Sequence, residues 1–456
     1  MSDKPEIADE AQTTGLLEAR FAAALEHVRD AARPGEIACG WLRAEASDFV
    51  RFNRGRIRQA GSVEKASVLA RLVHEGRQAS LTLTLSGEPA RDAARIDAAF
   101  AHLRTVIADS QPDPWLAISE QPTVSRTLVP GQPPQPDALC DTVIDAAGDA
   151  DLVGLYAGGP LACGFASSLG HHHWHEARPW FLDFSICGDG DKAVKRSFAP
   201  GDWTPAALVD AIAQARREAR ILGRPPKVLE PGEWRAWLAP AALGALVGML
   251  NWGGFSAAAL RSGHSPLARL VEGQARLDPR VSLVDDLAGA GLPRFQADGF
   301  SRPACLPLVS AGRHAGLLVS PRSAREFSLA GNGAGADESA EALAMAPGDM
   351  PQAEALRRLG TGIAVSDFWY LNWSDRAAAR LTGMTRFATL WVENGEPVAP
   401  LAVLRFDDSL FRVLGDALEA LSSECHRLPD TQTYDARSFG VATVPGALLE
   451  RLRFTL

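Results

Sequence analysis

Cysteine is scarce in this chain: six in 456 residues, at Cys39, Cys140, Cys163, Cys187, Cys305 and Cys425. No two form a C-x-x-C pair, so reduced thiols are expected rather than a disulfide framework. Long apolar runs are missing too. The best, Leu238–Leu250, falls short of the roughly eighteen residues a membrane span requires, and no membrane partner is expected. There is no run of Lys or Arg, and the net charge is −9. Nucleic-acid binders usually carry a basic face, so no nucleic-acid partner is expected either. The opening residues, MSDKPEIADEAQTT, are acidic and polar without the apolar centre of a signal peptide, which predicts a cytoplasmic protein. G-x-S-x-G, P-loop and G-x-G-x-x-G motifs are absent. GNGAG at 331–335 lacks the flanking strand and helix that phosphate binding needs.

What is present describes a folded globular protein. Apolar residues make up 46% and charged residues 22%, and a chain this long predicts two or three domains. Apolar spacing predicts helices over Leu16–Ala32, Ala90–Ala108, Ala138–Ala146 and Pro205–Leu222, the last capped by Thr204. Strands are expected at Ile37–Ala44, Asp48–Gln59, Ser62–His74 and Gln78–Ser86, with hinges between the later ones. Others are expected at Leu152–Gly158, Cys163–Ser168, Trp180–Cys187 and Ala193–Phe198. GRPPKVLEPG reads as a connector, with a boundary near residue 226. Beyond it, Trp234–Leu238 leads into an apolar helix, Ala241–Leu250, and then short strands dominate. Asn394–Gly395 is a hairpin turn. Residues 328–343 read as a flexible glycine-rich insertion. The expected class is α+β: a flexible N-terminus (1–15), a domain of antiparallel sheet with long helices (16–226), and a strand-rich domain (227–456).

The densest concentration of potential ligands is GHHHWHEARPW, from Gly170 to Trp180, in a chain with ten histidines. His171 and His175 have the i, i+4 spacing that lets two imidazoles on a helix reach one zinc ion. The position after His171 is His172, however, where a peptidase motif needs its glutamate base. Starting from His175-Glu176, the second ligand position is Pro179, and proline also opposes the helix. On a strand, His171, His173 and His175 share a face but stretch over roughly 13 Å, too far for one ion without a bulge. The plain alternative is a polar strand end or loop beside Trp174 and Trp180. Cys425-His426 diverge on any regular backbone, so Cys425 serves a metal only with a histidine from elsewhere. DFWYLNWSD (367–375) sets Trp369, Tyr370, Asn372 and Trp373 on one aromatic strand. Such a strand suits an extended peptide paired along its edge, or else core or dimer interface.

The segment GTGIAVSDFWYLNWSDRAAARLTGMTRFATLWVENGEPVAPLAVLRFDDSL (360–410), with its TGMTR and NGE, resembles the TldD/PmbA family. So do residues 253–287 and 295–324, including Ala297-Asp298-Gly299 as a variant of an Asp-Glu-Gly turn. GLYAGGPLACGFASSLG and DKAVKRSF are similar to that family's N-terminal stretches. The resemblance implies one of two types. TldD-type chains carry an H-E-x-x-x-H helix and a later cysteine as zinc ligands; TldE (PmbA)-type chains lack the motif and pair with a TldD-type subunit. The corresponding helix here, PAALGALVGMLNWGGF (240–255), contains no His, Glu, Asp or Cys. The resemblance therefore implies a TldE-like subunit of a metallopeptidase assembly acting on unfolded peptides. It implies no cofactor in this chain, zinc in a TldD-type partner, and inactivity alone. Cys425 lies near the catalytic type's cysteine but lacks its two histidine partners. Two alternatives stand beside this reading: a homodimeric peptide-binding or scaffold protein, and a metallohydrolase rebuilt on His171, His173, His175 or Cys425.

Overall fold

The computed structural model describes residues 15–188, 192–201 and 203–455. The expected flexible N-terminus lies outside them, save for Gly15. The chain is built on two sheets. The first uses residues 36–198 and the second residues 232–454.

The first region opens with α1 (Leu16–Asp30) and continues through β1 (Glu36–Asn53), β2 (Arg56–His74), β3 (Arg77–Thr84) and α2 (Pro89–Ala108). Next come β4 (Val124–Val129), α3 (Pro136–Ala147), β5 (Leu152–Gly158), β6 (Leu161–Ser167) and β7 (His172–Ala177). β8 (Trp180–Cys187), β9 (Ala193–Phe198) and α4 (Pro205–Leu222) complete it. The sheet runs β4-β7-β6-β1-β5-β8-β9, with β2 on the other side of β1 and β3 beyond it. Leu17, Phe21, Leu25 and Val28, at helical spacing on α1, and Ile96, Phe100 and Leu103 on α2 are buried against one face of this sheet. α3 and α4 form a core with β5 and β8 that also takes in residues of the second region, including Trp237 and Leu390.

Two expectations need correcting here. The four N-terminal strands are three, because Ala60-Gly61-Ser62 is not a hinge but the middle of β2, paired with Val50, Phe49 and Asp48. The turn sits earlier, at Arg54 and Gly55, both with positive φ (53° and 64°). The second correction concerns β4, which carries no strand assignment in the sequence reading. Val124–Val129 pairs in parallel with β7, and its exposed, polar-rich pattern hides the signal.

The second region holds β10 (Gly232–Leu238), α5 (Pro240–Gly248), β11 (Leu283–Asp285), β12 (Leu306–Ser310), β13 (Arg313–His314) and β14 (Ala342–Met345). It continues with β15 (Gly362–Val365), β16 (Trp369–Asp375), β17 (Arg380–Met384), β18 (Thr389–Glu393) and β19 (Glu396–Pro400). β20 (Arg405–Ser409), β21 (Leu418–Pro429) and β22 (Val441–Phe454) close it. β22 is the hub: it pairs with β10, β14, β20 and β21. The β18–β19 hairpin turns on Asn394 and Gly395, as their positive φ values of 53° and 84° require. The 328–343 stretch is packed rather than loose. Its Glu338 is 2% exposed and accepts hydrogen bonds from Ser256 Oγ, Ala258 N and Ser320 N. Among the described residues no helix is long and apolar enough to cross a membrane.

Candidate functional site

The two regions meet along a cleft of about 560 Å³. Trp41, Arg43 and Cys163 line it from the first sheet, and Phe295, Glu341 and Phe439 from the second region. Helix α5 reaches its wall with Gly248, and the single turn of 3₁₀ helix that follows adds Asn251.

α5 begins at Pro240, whose missing N–H costs nothing in the first turn. It is apolar on nearly every side, burying Ala242, Leu243, Leu246 and Val247. Gly244 lies against β21 and β22: a methyl there would run into Leu428 Cδ1 and stand 3.3 Å from Val444 Cγ2. The helix therefore lies close on the sheet and offers the cleft a glycine and an asparagine. Asn251 is already committed. Its Nδ2 donates to Ala340 O (2.9 Å) and its Oδ1 accepts from Ala340 N (3.1 Å). Zinc binds thiolate, imidazole and carboxylate; the side chains α5 presents do not fit it.

The histidines do not compensate. β7 is an internal strand between β4 and β6, so His173 and His175 lie within a buried strand, and only His171 and His172 stand at its end. His171, just before the strand, is fully buried, and His173 and His175 are each 2% exposed. All three face the second region. His173 stacks on Phe295 (centroids 4.8 Å, 16°), and His175 meets the edge of Phe439 at 5.2 Å. His171 lies edge-on to Phe165, with the backbone of Gly299 packed beside it. Both ring nitrogens of His173 are engaged, Nδ1 with Ser125 Oγ (2.7 Å) and Nε2 with Thr123 Oγ1 (2.9 Å). His171 Nδ1 is paired with Ser167 Oγ at 2.7 Å. Burial holds all three imidazoles neutral: it lowers the pKa of His171, and pushes those of His173 and His175 down to about 4. Trp174 points to the opposite face, onto the α1 side of the sheet. Glu176 is no general base either. Its carboxylate accepts from Leu17 N and Glu18 N (both 3.2 Å), capping the start of α1.

Cys425 sits on β21 opposite Pro445, its Sγ 3.6 Å from Met345 O, and burial raises its pKa. Among the described residues no group of three or more His, Cys, Asp or Glu is arranged to hold a metal ion. The aromatic strand is more open. β16 pairs only with β17 among the described strands. Tyr370 is 73% exposed with φ of +56°, its ring 4.3 Å from that of Trp369. Arg386 covers Trp369 at 4.4 Å, a cation–π contact. Trp373 and Asn372 follow on the same strand, and Asn372 Oδ1 accepts from Trp373 N.

One residue central to the region interface has no signal in sequence. Arg437, 4% exposed, projects from the segment between β21 and β22 into the first sheet. It donates to Ser47 Oγ (3.0 Å), Pro179 O (2.8 Å) and Gly159 O (2.6 Å), while its backbone N–H reaches buried Glu45 (3.3 Å). Burial pulls its pKa down to about 10. Arg71 and Asp298 form an ion pair across the same interface.

Residues 231–455 match the family described as PmbA/TldA metallopeptidase C-terminal domain. Among curated proteins nothing matches. The fold is similar to that of TldE from Thermococcus kodakarensis (TM-score 0.77, 14% identity, 96% of this chain and 100% of that one). It is also similar to a putative modulator of a DNA gyrase from Thermotoga maritima (TM-score 0.72, 15% identity, 96% and 99% covered). A second putative modulator of DNA gyrase, from Bacteroides thetaiotaomicron, gives a TM-score of 0.68 at 16% identity, with 96% and 98% covered. The α+β fold is thus shared along nearly the whole chain, and residues 231–455 form a C-terminal domain of the PmbA/TldD metallopeptidase family.

Proposed function

We propose that this chain is a TldE-like, non-catalytic subunit of a cytoplasmic peptidase assembly that acts on unfolded peptides. The observation that carries the reading is the α5 wall of the cleft. The cleft lies between the two regions, yet α5 and the turn after it present Gly248 and Asn251 where hydrolysis would need metal ligands and a base. The metal chemistry then falls to a TldD-type partner carrying H-E-x-x-x-H. This chain's contribution is structural and substrate-holding. The unpaired edge of β16, with Trp369, Tyr370, Asn372 and Trp373, suits an extended peptide, whose backbone would pair with the strand while its side chains rest on the exposed rings.

The test is reconstitution. The purified chain should hold no stoichiometric zinc and hydrolyse no peptide. Together with an H-E-x-x-x-H chain from the same source it should raise hydrolysis of an unfolded peptide above that of the partner alone. A mixture no faster than the partner alone would reject the proposal.

A further inference from the structure

Beside the cleft lies a second hollow, of about 340 Å³, within the size range of small-ligand sites. Pro429, Asp430, Ser438, Phe439, Gly440 and Val441 line both, so the two adjoin along one strip of chain. The walls of the hollow come from the loop after β4, the turn between β7 and β8, the 288–292 segment and β21. Two glycines let these walls close up. A methyl on Gly131 would stand 3.0 Å from Arg178 O, and Gly291, with φ of 69°, packs against Val129. Val129, Pro130, Leu292, Phe439 and Val441 give the hollow an apolar lining.

The charges around the hollow do not balance. Asp430 is the one carboxylate among its described lining residues, and it is occupied: Oδ1 accepts from Gln432 N (3.0 Å) and Oδ2 from Ser438 Oγ (2.7 Å). Three arginines stand against it. Arg437 is spent on Ser47, Gly159 and Pro179. Arg427 donates to Ala290 O at 3.3 Å and pairs with no carboxylate among the described residues, and burial lowers its pKa. Arg178 is exposed, and its side chain makes no hydrogen bond or ion pair among the described residues. Two guanidiniums with unspent donors therefore edge an apolar hollow. Such a group binds a carboxylate through short, charge-assisted hydrogen bonds, often two in parallel.

We propose that this hollow binds the free C-terminal end of a peptide, with Arg178 and Arg427 holding the terminal carboxylate and the apolar lining taking the last side chain. The occupant follows from the two features together. An inorganic anion would leave the apolar lining unused, and an apolar ligand without an acid would leave both guanidiniums unpaired. A peptide end supplies both parts, and the shared strip at 438–441 lets the chain behind it continue into the larger cleft. That the ligand is a peptide rests on the subunit reading above; that it is a carboxylate with an apolar body rests on the hollow alone. The site selects chain ends, whereas the β16 edge would pair with any extended segment. Peptides with a free acid are thereby favoured over the interior of a longer chain.

Fluorescence anisotropy of the full chain with two probes tests this. Both are the same N-terminally labelled, unstructured heptapeptide ending in leucine, one a free acid and the other a C-terminal amide. The acid should bind at least about tenfold more tightly than the amide. Arg178→Gln and Arg427→Gln should each shrink that preference, and together erase it, with the melting temperature close to that of the parent. Gln132→Glu, on the exposed rim, keeps both arginines and should weaken binding of the acid while sparing the amide. Excess N-acetylleucine should displace the acid probe, and inorganic phosphate at the same ionic strength should not. Equal binding of acid and amide, no binding of either, or a preference that survives the double variant would each overturn the proposal. So would displacement by phosphate as effective as by N-acetylleucine. No hydrolysis and no partner enter this measurement, so a failed reconstitution and a failed end-binding site give separate signatures.

Discussion

β7 and α5 make an instructive pair. β7 has the chemistry of a metal site and the wrong setting: its imidazoles face Phe295, Phe439 and the Gly299 backbone, sealed between the two regions. α5 has the setting and none of the chemistry, reaching the cleft with Gly248 and, through the turn that follows it, Asn251. Residue type alone points to the first, and position alone to the second. What a histidine does depends on whether its ring nitrogens meet solvent, protein or an ion, and here two hydroxyls take both nitrogens of His173.

The largest effect that would break this comparison is loss of the interface that buries β7. Arg437→Ala leaves Glu45, 5% exposed, without its nearby cation, and strips Pro179 O and Gly159 O of their donors. Removing one member of a buried charge network typically costs about 3–5 kcal/mol. Urea unfolding followed by tryptophan fluorescence should show a loss of that size, or an early transition in which the regions separate. A variant as stable as the parent would mean that Arg437 does not hold them together.

The next effect is a pH dependence carried by the histidine row. The folded pKa of His173 and of His175 is about 4, below the ordinary 6.5. The unfolded chain therefore takes up protons first as pH falls. Their contribution is complete above pH 6.5, declines between 6.5 and about 4, and is lost below that. A shift of about 2.5 units corresponds to about 3 kcal/mol per histidine at most. His175→Phe removes one titrating group whose Nε2 has no hydrogen-bond partner. The variant should flatten this acid limb while changing stability at pH 8 by no more than about 1–2 kcal/mol. An unaltered slope would sink the assignment.

These tests also mark what sequence reasoning reaches. Local rules worked where the determinant is local. Thr204 caps α4, its Oγ1 accepting from Ala207 N with Pro205 behind it, and Asn394-Gly395 turns a hairpin. They failed at Ala60-Gly61-Ser62, which has the composition of a turn but pairs with β1. The real turn uses Arg54, a residue that gives no turn signal. β4 was invisible because its neighbour β7 lies more than forty positions away. At the site, the blank helix was legible because it is a statement about residue types. Arg437 was not, since its partners at 47, 159 and 179 come together only in the fold. The same holds for Glu176, whose role as the cap of α1 needs a residue some 159 positions distant.

A smaller change concerns the open strand. Trp369→Ala removes a partly exposed ring and its contact with Arg386. Because β16 is held by β17 along its other edge, stability should fall by no more than about 1 kcal/mol. If the exposed aromatics support a bound peptide, affinity should drop about tenfold, about 1.4 kcal/mol. Isothermal titration of an unstructured peptide into the reconstituted assembly separates the two. Unchanged binding would return β16 to a purely structural role.

The smallest expected effect is no effect, and it bears most directly on β7 and α5. A metal that binds only the folded chain raises its melting temperature, by RT ln(1 + [L]/Kd) in free energy. If β7 held an ion, EDTA would remove that term and His173→Ala would lower metal content. With Ser125 and Thr123 occupying its nitrogens, His173 has no lone pair free to ligate. The melting temperature should therefore stay within about 1 °C on chelation, corresponding to well under 1 kcal/mol. Metal content by mass spectrometry should be the same in the parent and in His173→Ala. A drop in either would move the chemistry back from the empty wall of the cleft to the histidine strand.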